Sequence, residues 1–193
     1  MKFHAINEYS SFGMKALSGA DNFWQNPDVS ASPLDLIRYS ALMGLMAFSG
    51  YLISYAAIGH IWNYWPFIRT TIPILRAIFC AGLQWVFFAV FPVLSSIILD
   101  FLFVRKRPSS EMSSWLFVCT YSMTPLYLAS LVVGVPFIGR MSAFIALATF
   151  AYMLYFGYRI YCRLSMVRSI ALTCVVFVLF AFIRQMFVYV IGV

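Results

Sequence analysis

Charge is what this sequence has least of. Lys, Arg, Asp and Glu make up 10% of its 193 residues, against about 25% in a typical soluble domain. Histidine is limited to His4 and His60, and neither lies in a long apolar run. The four cysteines, Cys80, Cys119, Cys162 and Cys174, form no C-x-x-C pair. Scattered over apolar runs, they read as reduced packing residues. There is no H-E-x-x-H, no G-x-S-x-G and no pair of intramembrane aspartates. Two distant histidines and unpaired cysteines do not make a zinc site. These absences argue against an enzyme, so no catalytic residue, metal ligand or cofactor is expected. Residues 1–33 contain no early apolar run, so no cleaved leader is expected. No internal repeat and no low-complexity segment is evident.

What is abundant is apolar. The chain is 63% hydrophobic with a mean hydropathy of +0.89, which marks an integral membrane protein. A net charge of +7 would suggest nucleic acid in a soluble protein. Here the basic residues lie in short stretches between apolar runs, where topology and anionic lipid account for them. No nucleic-acid partner is expected.

A spanning helix needs roughly 20 mostly apolar residues. Five runs qualify, at about 38–59, 76–103, 115–135, 138–159 and 168–192. The fold class expected is all-α, a polytopic membrane bundle of five transmembrane helices. Residues 1–32 form a tail and residues 33–193 the membrane domain. Nine basic residues fall on the side of the N-terminus: Lys2, Lys15, Arg38, Arg105, Lys106, Arg107, Arg159, Arg163 and Arg168. Three fall opposite: Arg69, Arg76 and Arg140. The positive-inside rule therefore puts the N-terminus in the cytoplasm. Trp62, Tyr64 and Trp65 would form an outer aromatic belt. Arg105, Lys106, Arg107, Arg159, Arg163 and Arg168 are the expected contacts to anionic lipid.

The tail has local signals of its own. Ser32-Pro33-Leu34-Asp35 reads as a helix start, with Ser32 capping, Pro33 in the first turn and Asp35 as a capping carboxylate. Upstream, Phe3, Ile6, Tyr9, Ala16, Leu17 and Ala20 share one face of a helical pattern. Asn7, Ser10, Ser11, Lys15 and Ser18 share the other. The pattern fits an interfacial helix, or a partly ordered tail given Gly13.

Polar groups inside apolar runs are the functional suspects. Asp100 either snorkels toward Arg105 and Lys106 or faces inward, where Tyr121, Ser122, Tyr152 and Tyr155 would share its depth. Arg184 lies sixteen residues past Arg168, roughly 24 Å along a helix. It either snorkels past the residues that follow or meets Gln84, with Gln185 at similar depth. Pro92 and Pro125 each remove a helical donor, which frees the carbonyls of Phe88 and Tyr121. Ser122, Thr124 and the tyrosines are placed to re-satisfy such groups. The same hydroxyl-rich kink also fits a ligand or a partner helix. Ala143, Ala146, Ala148 and Ala151 offer a close-packing face.

The run Tyr121-Ser122-Met123-Thr124-Pro125, then Val135-Pro136, then Tyr152, Tyr155, Gly157 and Tyr158, resembles the Yip1 family. The resemblance covers about residues 30–193. It implies five spans and a cytoplasmic N-terminus. Eukaryotic relatives are trafficking proteins that associate with small GTPases and carry a D-L-Y-G-P motif. This chain lacks the motif, so GTPase binding is not carried over. It is more similar to the small bacterial inner-membrane members, some of which accompany exporters. The expected role is a non-enzymatic accessory or scaffold subunit in the inner membrane. Its partners would be lipid and either another membrane protein or a second copy. The alternative is a small transporter or channel component, or a lipid-handling protein, using the Pro-kinked interior.

Overall fold

The computed structural model describes residues 20–25, 32–61, 69–103 and 110–191. Expectations for Phe3 to Leu17, for Trp62, Tyr64 and Trp65, and for Arg105, Lys106 and Arg107 lie outside the described residues. In chain order the helices are α1 (Ala20–Gln25), α2 (Pro33–Ile53), α3 (Ile74–Phe103), α4 (Ser110–Ser122), α5 (Thr124–Ser130), α6 (Ile138–Phe156) and α7 (Met166–Ile191). Wider π-helical turns extend α2 over Ser54–Ile58 and α6 over Gly157–Tyr161. Two-residue strands, His60–Ile61 and Arg69–Thr70, pair antiparallel between α2 and α3.

Four helical stretches are long and apolar enough to cross a membrane: Pro33–Ile58, Ile74–Leu102, Ile138–Tyr161 and Met166–Phe187. They are apolar on their outer faces too, where Phe79, Phe101, Phe144, Val167 and Phe182 are exposed. Helices that are hydrophobic all round belong in lipid or in a large core.

The start of α2 follows the sequence signal. The Ser32 hydroxyl accepts from the Asp35 backbone N–H at 3.3 Å and donates to the Asp35 carboxylate at 2.6 Å. Pro33 fills the first turn, and Asp35 also pairs with Arg38 at 3.6 Å. A cap of this kind contributes about 1 kcal/mol to the helix.

The third apolar run departs from one continuous helix. It breaks at Met123, resumes as α5, and ends at Ser130 rather than near residue 135. Pro125 has no N–H to donate to the Tyr121 carbonyl, so the helix cannot pass through this point unchanged. Beyond Ser130 the chain tightens, with Val132 N–H on the Ala129 carbonyl and Val133 N–H on the Ser130 carbonyl. It then turns through Pro136 and Phe137 into α6, with Phe137 at φ 61°.

Close packing is set by glycines of α2 more than by the alanines of α6. Gly44 lets Trp85 of α3 lie flat enough for its indole N–H to donate to the Ala41 carbonyl at 2.9 Å. A Cβ at Gly44 would sit 2.9 Å from the Trp85 ring. At Gly50 a Cβ would run into the backbone carbonyl of Ser130. At Gly134 it would sit 2.8 Å from Ser54. On α6, Ala146 is buried, while Ala148 is exposed. The core between these helices is aromatic, with Phe87, Phe88, Phe91, Phe150 and Phe180 in mutual contact.

Near the end of the bundle where α2 starts, α1 is drawn inward. Phe23 and Trp24 are buried, against Phe117, Tyr121 and Tyr161. These two residues of the tail therefore belong to the core of the bundle.

Candidate functional site

The interior is built around the two carbonyls that proline sets free. Pro92, inside α3, cannot donate to Phe88. The Tyr127 hydroxyl of α5 takes that place, donating to the Phe88 carbonyl at 3.1 Å. Pro125 cannot donate to Tyr121, and the Thr124 hydroxyl does so instead at 2.8 Å. Tyr39 of α2 lies 2.8 Å from the same Thr124 oxygen. A threonine hydroxyl has one proton, and Thr124 spends it on the Tyr121 carbonyl. Tyr39 is therefore the donor in its bond to Thr124. The chain of bonds runs Tyr39 to Thr124 to the Tyr121 carbonyl, tying α2 to the break between α4 and α5.

All of these groups are buried, as is Pro125. Leaving one buried carbonyl unpaired costs about 1–3 kcal/mol, which is what each hydroxyl averts. Ser122 is buried beside them, and its hydroxyl has no hydrogen-bond partner among the described residues. The same holds for the hydroxyls of Ser95 and Thr120.

A second polar centre lies toward the opposite end of the bundle from Asp100. Arg184 of α7 lines a cavity of about 160 Å³ with Tyr51, Phe88, Ser130, Ala143 and Leu147 among its walls. The guanidinium lies beside the Tyr51 hydroxyl, within hydrogen-bond reach, and near that of Tyr55. Arg184 thus turns inward. Gln84 is buried and sits beside Tyr55, so the tyrosine stands where the sequence placed a direct glutamine–arginine bond. The amide oxygen of Gln84 has no hydrogen-bond partner among the described residues. Gln185, next to Arg184, is exposed.

The remaining residues singled out from sequence are not gathered into one place. Asp100 is partly buried near the end of α3 and makes no ion pair among the described residues. It lies twelve residues, roughly 18 Å of helix, from Phe88 at the arginine cavity. Tyr152 is 49% exposed on α6, and its ring rests on Phe156. Tyr155 is partly buried, its ring edge-on to Phe156. Arg159, Arg163 and Arg168 are exposed together around the α6–α7 connection. That position suits contact with lipid headgroups, although Arg159 also donates to the Leu164 carbonyl at 3.1 Å.

Sequence reasoning missed Tyr39, Tyr51, Tyr55 and Ser130. Tyr51 and Tyr55 are spaced i and i+4 on α2, and that spacing alone puts two hydroxyls on one face. No group of three or more His, Cys, Asp or Glu among the described residues is placed to hold a metal ion. Comparison with protein-family models, curated proteins and solved structures returns no match.

Proposed function

We propose that this chain is a non-enzymatic accessory or scaffold subunit of a membrane complex. In this reading it crosses the bilayer five times, with its N-terminus in the cytoplasm, and sits in the inner membrane of a bacterium. The fifth crossing is α4 and α5 taken together. Their apolar part runs from Trp115 to Ser130, roughly 24 Å at 1.5 Å per residue, and the apolar chain continues beyond it toward residue 135. The Lys and Arg asymmetry supports the orientation. The run from Tyr121 to Pro125 and the tyrosines of α6 support a place in the Yip1 family, of the small bacterial type.

One observation carries the functional reading. The hydroxyls of Tyr127 and Thr124 are spent on the Phe88 and Tyr121 carbonyls. A translocation path would need such groups facing a passage. Here they hold helices together, which suits a rigid subunit better than a moving one.

The test is purification of the tagged chain from its native membranes, in mild detergent and in polymer discs. A second membrane protein held at the same fixed ratio in both preparations is the expected result. A chain that arrives alone in both would overturn the accessory reading. Lipid handling is the second reading, and the arginine cavity favours it.

A further inference from the structure

We propose that the cavity beside Arg184 binds the phosphate group of a phospholipid from the leaflet at that end of the bundle. The inference rests on the cavity alone and stands whether or not the chain is an accessory subunit.

The first argument is charge. The six carboxylate side chains are Glu8, Asp21, Asp28, Asp35, Asp100 and Glu111. None lies between Asp35 and Asp100, and none follows Glu111. Asp35 is in the first turn of α2, Asp100 in the last turn of α3, and Glu111 in the first turn of α4. All three are at the end of the bundle away from the cavity. The cavity end is where α2 finishes, α3 begins, α5 finishes and α6 begins. It carries Arg76, Arg140 and Arg184 and no carboxylate among the described residues. The polar groups beside the Arg184 guanidinium include the hydroxyls of Tyr51 and Tyr55. A cation within a membrane span is costly without an anion, and this one has no side-chain anion near it among the described residues.

The second argument is shape. α7 packs on α3 and α6, and the Arg184 side chain bridges the space between it and α2. The space that remains is small, and apolar apart from Arg184 and the hydroxyls of Tyr51 and Ser130. The Ser130 hydroxyl already donates to the Tyr127 carbonyl, and the space suits one compact anionic group held by the guanidinium, the recognition chemistry of a phosphate. It is too small for a partner helix, whose diameter is about 10 Å. Arg184 is partly buried rather than sealed in. Phe144, the residue after the cavity-lining Ala143 on α6, is exposed, and an acyl chain can lie along it. A free anion would have no use for such an apolar side chain.

The experiment is native mass spectrometry of the full chain released from discs of phosphatidylglycerol and phosphatidylcholine, with increasing delipidation. Wild type is expected to keep one phospholipid after the others are stripped. Arg184→Gln should lower that retained fraction about tenfold or more, the usual scale of one charge-assisted contact, and Arg184→Lys should restore part of it. Ala143→Leu, which fills the cavity and leaves the charge, should also lose the lipid. Equal retention by wild type, Arg184→Gln and Ala143→Leu would overturn the proposal. So would millimolar inorganic phosphate displacing the lipid from wild type, since the site would then take the free anion. Unfolding of each variant in detergent without lipid identifies any that fails to fold. If Arg184→Gln does not fold, Ala143→Leu decides alone.

Discussion

The hydroxyl of Tyr127 donates to the carbonyl of Phe88 at 3.1 Å, four residues before Pro92 in the same helix. A ring of α5 thus closes the gap that a proline opened in α3. Tyr127→Phe should lower stability by about 1–2 kcal/mol, between the membrane average for one hydrogen bond and the cost of a buried unpaired carbonyl. In a Pro92→Ala background the alanine N–H can serve Phe88 itself. The cost of Tyr127→Phe should then shrink. Thermal unfolding in one detergent measures all four proteins, and an unchanged cost would show that Tyr127 acts through ring packing alone.

Thr124 gives a parallel test with a conservative control. Thr124→Val keeps the shape and removes both the donor to Tyr121 and the acceptor for Tyr39. We expect a loss of about 1–3 kcal/mol. Thr124→Ser should recover most of it. A valine variant as stable as wild type would mean that the two bonds contribute nothing net.

Gly50 is the tightest backbone contact of α2. Alanine there would press its methyl into the Ser130 carbonyl, and the helices would have to part. Elsewhere in a helix Gly→Ala is stabilising by up to about 1 kcal/mol. At Gly50 the sign should reverse, whereas Gly82, whose Cβ would meet nothing, should show the ordinary gain. Paired melting curves of the two variants read the difference directly.

Asp100 separates accessory and transport roles. Asp100→Asn removes a titratable group near the end of α3. Recovery of the co-purifying partner should be unchanged within a factor of about two, since one exposed or half-exposed charge rarely contributes more than 1 kcal/mol. Loss of a proton-dependent flux in reconstituted vesicles, with the partner still bound, would favour transport.

The parts of the fold legible in the sequence are those governed by local chemistry. Ser32, Pro33 and Asp35 fix a helix start through contacts three residues apart, and the structure begins α2 there. Pro92 and Pro125 identify the freed carbonyls because a missing N–H is a covalent fact. Which hydroxyl answers each one was only half legible. Thr124 is three residues from its target, but Tyr127 reaches Phe88 across thirty-nine residues. The burial of Trp24 was hidden for a similar reason. Nothing near it in sequence distinguishes an aromatic on a membrane surface from one inside a bundle. Its seat is made by Phe117 and Tyr161, which come from two later helices. The arginine cavity is likewise a property of five elements together. The sequence could place Arg184 at a depth, but not beside Tyr51.

The seat of Trp24 bears on the order of biosynthesis. Gly157 leaves room for this indole, since a Cβ there would approach Trp24 to 3.2 Å and Val118 to 2.6 Å. Trp24 leaves the ribosome before α2, yet the surfaces that receive it are translated later, in α4 and at the far end of α6. The aromatic pair of α1 must therefore wait outside its pocket while α2 to α6 are inserted. Docking of Phe23 and Trp24 is a late step, a latch that closes only on an assembled bundle. A bulky replacement at Gly157 would leave the helices inserted and that latch open.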